Sequence, residues 1–249
     1  MTVANSVVSE SAALLGDPEF PKILDPAKYG ERILRFQELY RQYSRLDLSA
    51  DHDRPTAIGG LQQRLLRTMD VYGGFGILDD PDKSSLLHRS LLWHRGEGIK
   101  QLKPIAFPSD REHVPSWSWM SVSGGIDYFP LTWRQYDWQV IKPPWSLSPV
   151  PTPNAFYGQA QVFDLTATRV NEDSVMFDNI LDSEVLESMA IVLGIEKGLK
   201  AIDDKKHYIL VVRPKMKPSA DGAALYERIG AGFIPGRCLR GEPRNCTLV

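Results

Sequence analysis

Ser116-Trp117-Ser118-Trp119-Met120-Ser121-Val122 alternates small polar and large side chains, the period of two that an extended strand presents to a sheet. Ser123-Gly124-Gly125 reads as a turn, and Ile126-Asp127-Tyr128-Phe129 is expected to return as the second arm of a hairpin. The stretch marks a change of period along the chain. Upstream, apolar residues recur at helical spacing. Asp25-Pro26 predicts a capped helix over about 26–46 with Ile33, Phe36, Tyr40 and Tyr43 on one face. Asp53-Arg54-Pro55 opens a second helix, continued by Ile58, Leu61, Leu65 and Met69. Gly59-Gly60 interrupts that pattern, as close packing against another helix would require, and Gly73-Gly74 ends the unit. Leu86, Leu87, Leu91, Leu92 and Trp93 give a third, short helix over 84–93.

Downstream, the periodic signal is that of strands. They are expected at Trp138 to Ile141, Gln159 to Val170, Ser174 to Phe177, Ser188 to Ile195, His207 to Arg213 and Tyr226 to Ile234. Residues 142–155 are proline-rich and read as an irregular loop. The fold class is therefore α+β: a helical N-terminal third packed on a mostly antiparallel β sandwich or open barrel. Residues 1–24 are expected to be a flexible arm and 25–249 a single domain. Within it, 25–100 are mainly helical, 101–236 mainly β, and 237–249 a tail carrying Cys238 and Cys246 as ordinary reduced thiols.

Composition narrows the function classes. The chain has 249 residues, 43% hydrophobic and 24% charged, with a formal net charge of −2, the balance of an ordinary globular domain. No charge excess favours nucleic acid or an anionic membrane. The basic run Lys197, Lys200, Lys205, Lys206, Arg213, Lys215 and Lys217 is interrupted by Asp203 and Asp204, as a solvated face would be. No basic residue precedes the short apolar stretch at the N-terminus, and no apolar run approaches a membrane span. A cytoplasmic protein that binds neither nucleic acid nor membrane is expected. The sequence carries no Walker A loop, dinucleotide fingerprint or Gly-x-Ser-x-Gly elbow, and His52, His88, His94, His113 and His207 form no His-x-x-x-His pair. No cofactor and no metal site are expected. All six tryptophans (Trp93, Trp117, Trp119, Trp133, Trp138, Trp145) fall between positions 93 and 145.

Several strings then occur in a particular order. They are Tyr43-Ser44-Arg45-Leu46-Asp47-Leu48-Ser49, Asp53-Arg54-Pro55-Thr56-Ala57-Ile58-Gly59-Gly60-Leu61, Leu91-Leu92-Trp93, Pro115-Ser116-Trp117-Ser118-Trp119-Met120-Ser121-Val122 and Tyr226-Glu227-Arg228-Ile229-Gly230. Over residues 29–234 this series resembles the region that follows the HET module in fungal heterokaryon-incompatibility proteins. Pro-Ser-Trp-Ser-Trp is its most specific part. Pro55 stands where that region usually has leucine, and Met120 where it usually has alanine. The stretch ahead of the match is too short for the TIR-like HET module, so a stand-alone HET-like protein is expected.

The resemblance implies two functions of different class. One is a cofactor-independent cyclase of fungal secondary metabolism, of the Diels–Alderase type, acting on an apolar terpenoid or polyketide intermediate. The other is a non-catalytic interaction module in incompatibility signalling. For the cyclase, Trp93, Trp117, Trp119, Trp133 and Trp138 are the candidate pocket walls, and Arg89, His94 and Tyr128 the candidate donors to a substrate carbonyl. Each has a structural alternative. Trp117 and Trp119 could anchor the sheet on the helices, Arg89 and His94 could serve a helix end, and Tyr128 could be a rim residue. Arg228 is expected to meet a carboxylate such as Asp53.

Overall fold

The computed structural model describes residues 29–80, 85–108, 114–132, 134–146, 162–165, 174–179, 188–215 and 224–249. The expected start signal Asp25-Pro26, the N-terminal arm, most of 159–170 and Trp133 lie outside these residues. Helix α1 runs Tyr29–Ser44, α2 runs Arg54–Met69 and α3 runs Ser85–Leu91. Each matches an expected helix, because each carries an apolar stripe at 3.6-residue spacing. On α1 that stripe is Ile33, Phe36, Leu39 and Tyr40, all buried. On α2 the buried line is Ile58, Gln62 and Leu65, with Arg54 at its start. Pro55 occupies the first turn of α2, but the Asp53 side chain makes no capping bond. A short 3-10 turn, Asp51–Asp53, leads in instead. Asp70 ends α2 in the left-handed conformation at φ 52, its N–H bonded to the Leu66 carbonyl.

The sheet expectations hold for the long strands. Strand β10 (Met189–Glu196), β11 (Lys206–Pro214) and β12 (Leu225–Pro235) form an antiparallel meander. Around it lie β7 (Tyr136–Trp138), β8 (Val162–Leu165), β9 (Val175–Phe177), β13 (Leu239–Arg244) and β14 (Thr247–Leu248). Together these make an open eight-stranded sheet with the path β13-β8-β10-β11-β12-β14, to which β7 adds on β10 and β9 on β12. Among the described strands, β14 alone runs parallel to its neighbour. Smaller pairs complete the helical side. Strand β1 (Tyr72–Gly74) pairs with β2 (Ile77–Asp79), β3 (Trp93–Arg95) with β6 (Ile126–Tyr128), and β4 (Lys103–Pro104) with β5 (Val122–Ser123).

Both faces of the meander are buried. Met189, Ile191, Leu193, Tyr208, Leu210 and Val212 join the core that the helices share. Their alternating neighbours Ala190, Val192, Ile209 and Val211 form a second cluster with Ile229, Ile234 and Cys238. The sheet is curled. On a flat sheet β13 would stand four strand spacings, about 19 Å, from β12. The four residue steps from Pro235 to Leu239 reach only about 14 Å. The chain makes this link through the 3-10 turn Gly236–Cys238, so β12 and β13 must bend toward each other, with the second cluster between them.

Two expectations are corrected here. Residues 237–249 are no tail: they supply β13 and β14, and both cysteines are buried. The alternating run Ser116 to Val122 is not a strand and forms no hairpin with 126–129. Trp119–Ser121 is a 3-10 turn, in which the Ser118 hydroxyl accepts from the Met120 N–H at 3.0 Å. Serine offers the backbone a local partner that competes with a ladder, and the paired serines of this run decide for the turn. Ser121 likewise donates to the Ser118 carbonyl at 2.7 Å. Only Val122–Ser123 remains extended, and it pairs with β4.

Candidate functional site

The tryptophans of the alternating run are core. Trp93, Trp117 and Trp119 are all 0% exposed. Trp93 Nε1 donates to the Trp117 carbonyl at 2.9 Å, tying β3 to the turn. Trp119 packs against Tyr40 and Tyr43, at centroid distances of 5.2 and 6.1 Å. Trp117 meets Phe75 edge-on at 5.9 Å. Fully enclosed rings touch no ligand, so these three support a site and do not line one.

The remaining candidates are spread over two other places. Trp138, half-buried on β7, stacks on His88 with centroids 5.0 Å apart, and Arg89 lies 6.0 Å from its ring. Arg89 clamps the 131–132 backbone, donating to the Leu131 carbonyl at 2.9 Å and the Thr132 carbonyl at 3.1 Å. Burial pulls its guanidinium down to about 10, and it stays charged at neutral pH. His94 and Tyr128 sit on the β3–β6 pair. The His94 ring lies 4.4 Å from Phe129, and its Nδ1 is 2.8 Å from the Arg95 carbonyl; burial holds its pKa below the usual range. The Tyr128 hydroxyl is buried with no hydrogen bond among the described residues, and burial raises its pKa well above the usual value. Arg89 thus belongs to the Trp138 cluster, and His94 and Tyr128 to the β3–β6 pair.

Arg228 is buried under Trp93. Its guanidinium lies 3.1 Å from the ring centroid, Nη2 donates to the Trp93 carbonyl at 2.6 Å, and Nη1 pairs with Asp178 at 2.9 Å. The carboxylate is therefore Asp178 rather than Asp53. Burial pulls this guanidinium to about 10, with Asp178 opposing the shift.

A cleft of about 570 Å³ opens elsewhere, between the first half of α2 and the β1–β2 hairpin. Its described lining is Pro55, Phe75, Phe107, Val114 and Met120 on the apolar side, with His52, Thr56, Gln62 and Gln63 as side-chain polar groups and Gly59, Gly73 and Gly74 as bare backbone. The volume falls within the range of small-molecule sites. Two of the quoted strings meet here: the one beginning Asp53-Arg54 supplies Pro55, Thr56 and Gly59, and the one containing Pro-Ser-Trp-Ser-Trp supplies Met120.

The wall nearest the core is unusually fixed. Strands β1 and β2 are joined by Phe75-Gly76 alone, with both φ angles positive (53° and 77°), as a two-residue type I′ turn requires. Phenylalanine in this conformation costs on the order of 1–2 kcal/mol, and surrounding side chains hold the turn in place. Ser118 Oγ donates to the Phe75 carbonyl at 2.6 Å, the Gly76 N–H donates to Gln62 Oε1 at 2.7 Å, and Trp119 Nε1 reaches the Gly76 carbonyl at 3.4 Å. A Cβ at Gly76 would fall inside the Trp119 indole. At Gly59, by contrast, a Cβ would meet nothing within 4 Å. The Gly59-Gly60 pair therefore does not mark close helix packing; Gly59 borders open space in the cleft.

Gln62 and Phe75 are not among the residues expected at a site. One signal was present: Gln62 is a carboxamide on the apolar line Ile58, Gln62, Leu65, where an aliphatic residue is expected. Among the described residues no group of three or more His, Cys, Asp or Glu side chains could hold a metal ion, and no helix is long and apolar enough to cross a membrane. Comparison with protein-family models, curated proteins and solved structures finds no match to the chain.

Proposed function

We propose that the protein is a cofactor-independent cyclase that binds an apolar, polyene-like small molecule in the cleft between α2 and the β1–β2 hairpin. The carrying observation is the cleft itself: an apolar side formed by Pro55, Phe75, Phe107, Val114 and Met120 faces polar groups including Gln62, beside a strained hairpin turn held by Gln62, Ser118 and Trp119. The resemblance of the strings lining it to the region downstream of the HET module adds to this reading. Strained residues that the surroundings hold in place cluster at sites where geometry is used. An intramolecular [4+2] cycloaddition uses geometry above all. Three π bonds become two σ bonds and one π bond, no proton moves and no atom is gained or lost. A wall that keeps diene and dienophile in reactive alignment removes the entropy of finding it.

The test is incubation of the purified protein with linear trienones in which diene and enone are tethered. Rate and endo:exo ratio are compared with buffer and with Gly59→Leu, whose side chain would project into the cleft. The expected result is acceleration and a skewed ratio, both lost in Gly59→Leu while its circular dichroism is unchanged. Buffer-like rates and ratios across the tether series would eliminate the cyclase.

A further inference from the structure

We infer that the Gln62 carboxamide is the polar recognition element of the cleft, donating its Nε2–H to a carbonyl oxygen of the bound molecule. The inference rests on the reading of the cleft as a binding site and adds a ligand class to it: an apolar body bearing a ketone, aldehyde or ester. Gln62 is 7% exposed and lines the cleft. The Gly76 N–H can only donate, so the amide atom 2.7 Å away must be the acceptor Oε1. That fixes the side chain end for end and leaves the NH2 group as the free arm. Nε2 has no hydrogen-bond acceptor among the described residues and is not one of the fully buried unpartnered atoms, so it faces the water of the cleft. A carbonyl oxygen entering the cleft takes the place of that water.

The other polar groups of the cleft are less suited. Thr56 and Gln63 are exposed and His52 is half-exposed, so water competes for each. None of the three is tethered to the hairpin turn. Gln62 alone combines burial with a fixed orientation. A neutral donor aimed at an enone oxygen also strengthens as charge builds there during cycloaddition. Its N–H bond stays intact throughout, so it polarises the carbonyl without transferring a proton.

The test uses two probes of the same shape, β-ionone and the hydrocarbon in which its carbonyl oxygen is replaced by methylene, titrated into 15N- and methyl-labelled protein. Both should move the methyl signals of Val114 and Met120. Only the ketone should move the Gln62 side-chain NH2 signal, and it should bind at least about fivefold more tightly than the hydrocarbon. In Gln62→Glu at pH 8, the carboxylate still accepts from Gly76 but donates nothing. The ketone preference should vanish there, with hydrocarbon affinity within about twofold of wild type. If both probes move Val114 and Met120 but the NH2 signal responds equally to both, the donor role is overturned and the cleft stands. If neither probe moves Val114 or Met120, the cleft is no such site and the inference falls with it. The wild-type signals decide the matter even if Gln62→Glu does not fold.

Discussion

Replacing Arg228 tests the central junction of the molecule, where the sheet meets β3. The wild-type guanidinium lies flat on Trp93 at 3.1 Å, bonds Asp178 at 2.9 Å and the Trp93 carbonyl at 2.6 Å, and its side chain is 0% exposed. Arg228→Ala removes all three contacts at once. It leaves the Asp178 carboxylate, itself only 14% exposed, beside an emptied space. The intact pair need not be strongly stabilising, because desolvation offsets most of its attraction. Removing one partner is different, since the largely buried carboxylate loses the guanidinium it is bonded to, and the loss is about 3–5 kcal/mol. For a chain of this length that is a fall in Tm of about 6–20 °C. Urea unfolding followed by tryptophan fluorescence measures it, because Trp93 reports the site directly. Arg228→Met combined with Asp178→Asn should recover part of the loss, since Met covers the indole and the carboxamide carries no charge. A cost below about 1 kcal/mol for Arg228→Ala would refute the reasoning. So would strict additivity of the Arg228→Ala and Asp178→Ala costs in the double variant.

Other expectations concern the helix glycines, the thiols and the histidines. Gly60→Ala adds a methyl group that meets nothing within 4 Å and has no positive φ to strain it; stability should rise by about 0.5–1 kcal/mol in thermal melts, as helix propensity dictates. Gly59→Ala should gain a similar amount and also weaken probe binding in the cleft it borders, which Gly60→Ala should leave unchanged. Cys238 and Cys246 are buried, and burial pushes the Cys246 thiol up to about 12; both should resist a thiol reagent in the native protein and titrate as two groups in denaturant. Burial lowers the pKa of His94 and His207. The unfolded chain therefore binds more protons between each folded pKa and about 6.5. Stability is full above that value and falls as pH drops below it. His94→Gln and His207→Asn should each flatten the decline, as urea midpoints between pH 7 and 5 would show.

The helices were legible because their apolar stripes repeat over several turns, and the long strands because Val, Ile and Leu run between turn residues. The run around Trp117 and Trp119 misled for a physical reason. So short an alternation is as compatible with a serine-capped turn as with a strand, and the hydrogen bonds that decide between them involve Ser118 and the distant Phe75. The C-terminal strands were hidden because β13 is an exposed edge of charged residues, Leu239–Arg244, with no apolar pattern to announce it. The tryptophans drew the site assignment because large aromatics serve pockets and cores alike. Only burial separates the two uses, and it is a property of the whole fold. The cleft depends on a two-residue turn landing beside α2, which local periodicity does not encode. Its one trace in the sequence was glutamine on an apolar face.

The Arg228–Trp93 contact joins residues 135 positions apart. During synthesis the helical third leaves the ribosome with its indole uncovered, and at typical elongation rates about 7–27 s pass before the arginine that covers it emerges. The meander β10–β12, built from neighbours in sequence, can assemble as soon as it appears, because short loops close at little entropic cost. Helices and sheet are thus expected to mature in the reverse of the order in which they are made. For that interval the nascent chain exposes an apolar surface of the kind that chaperones hold.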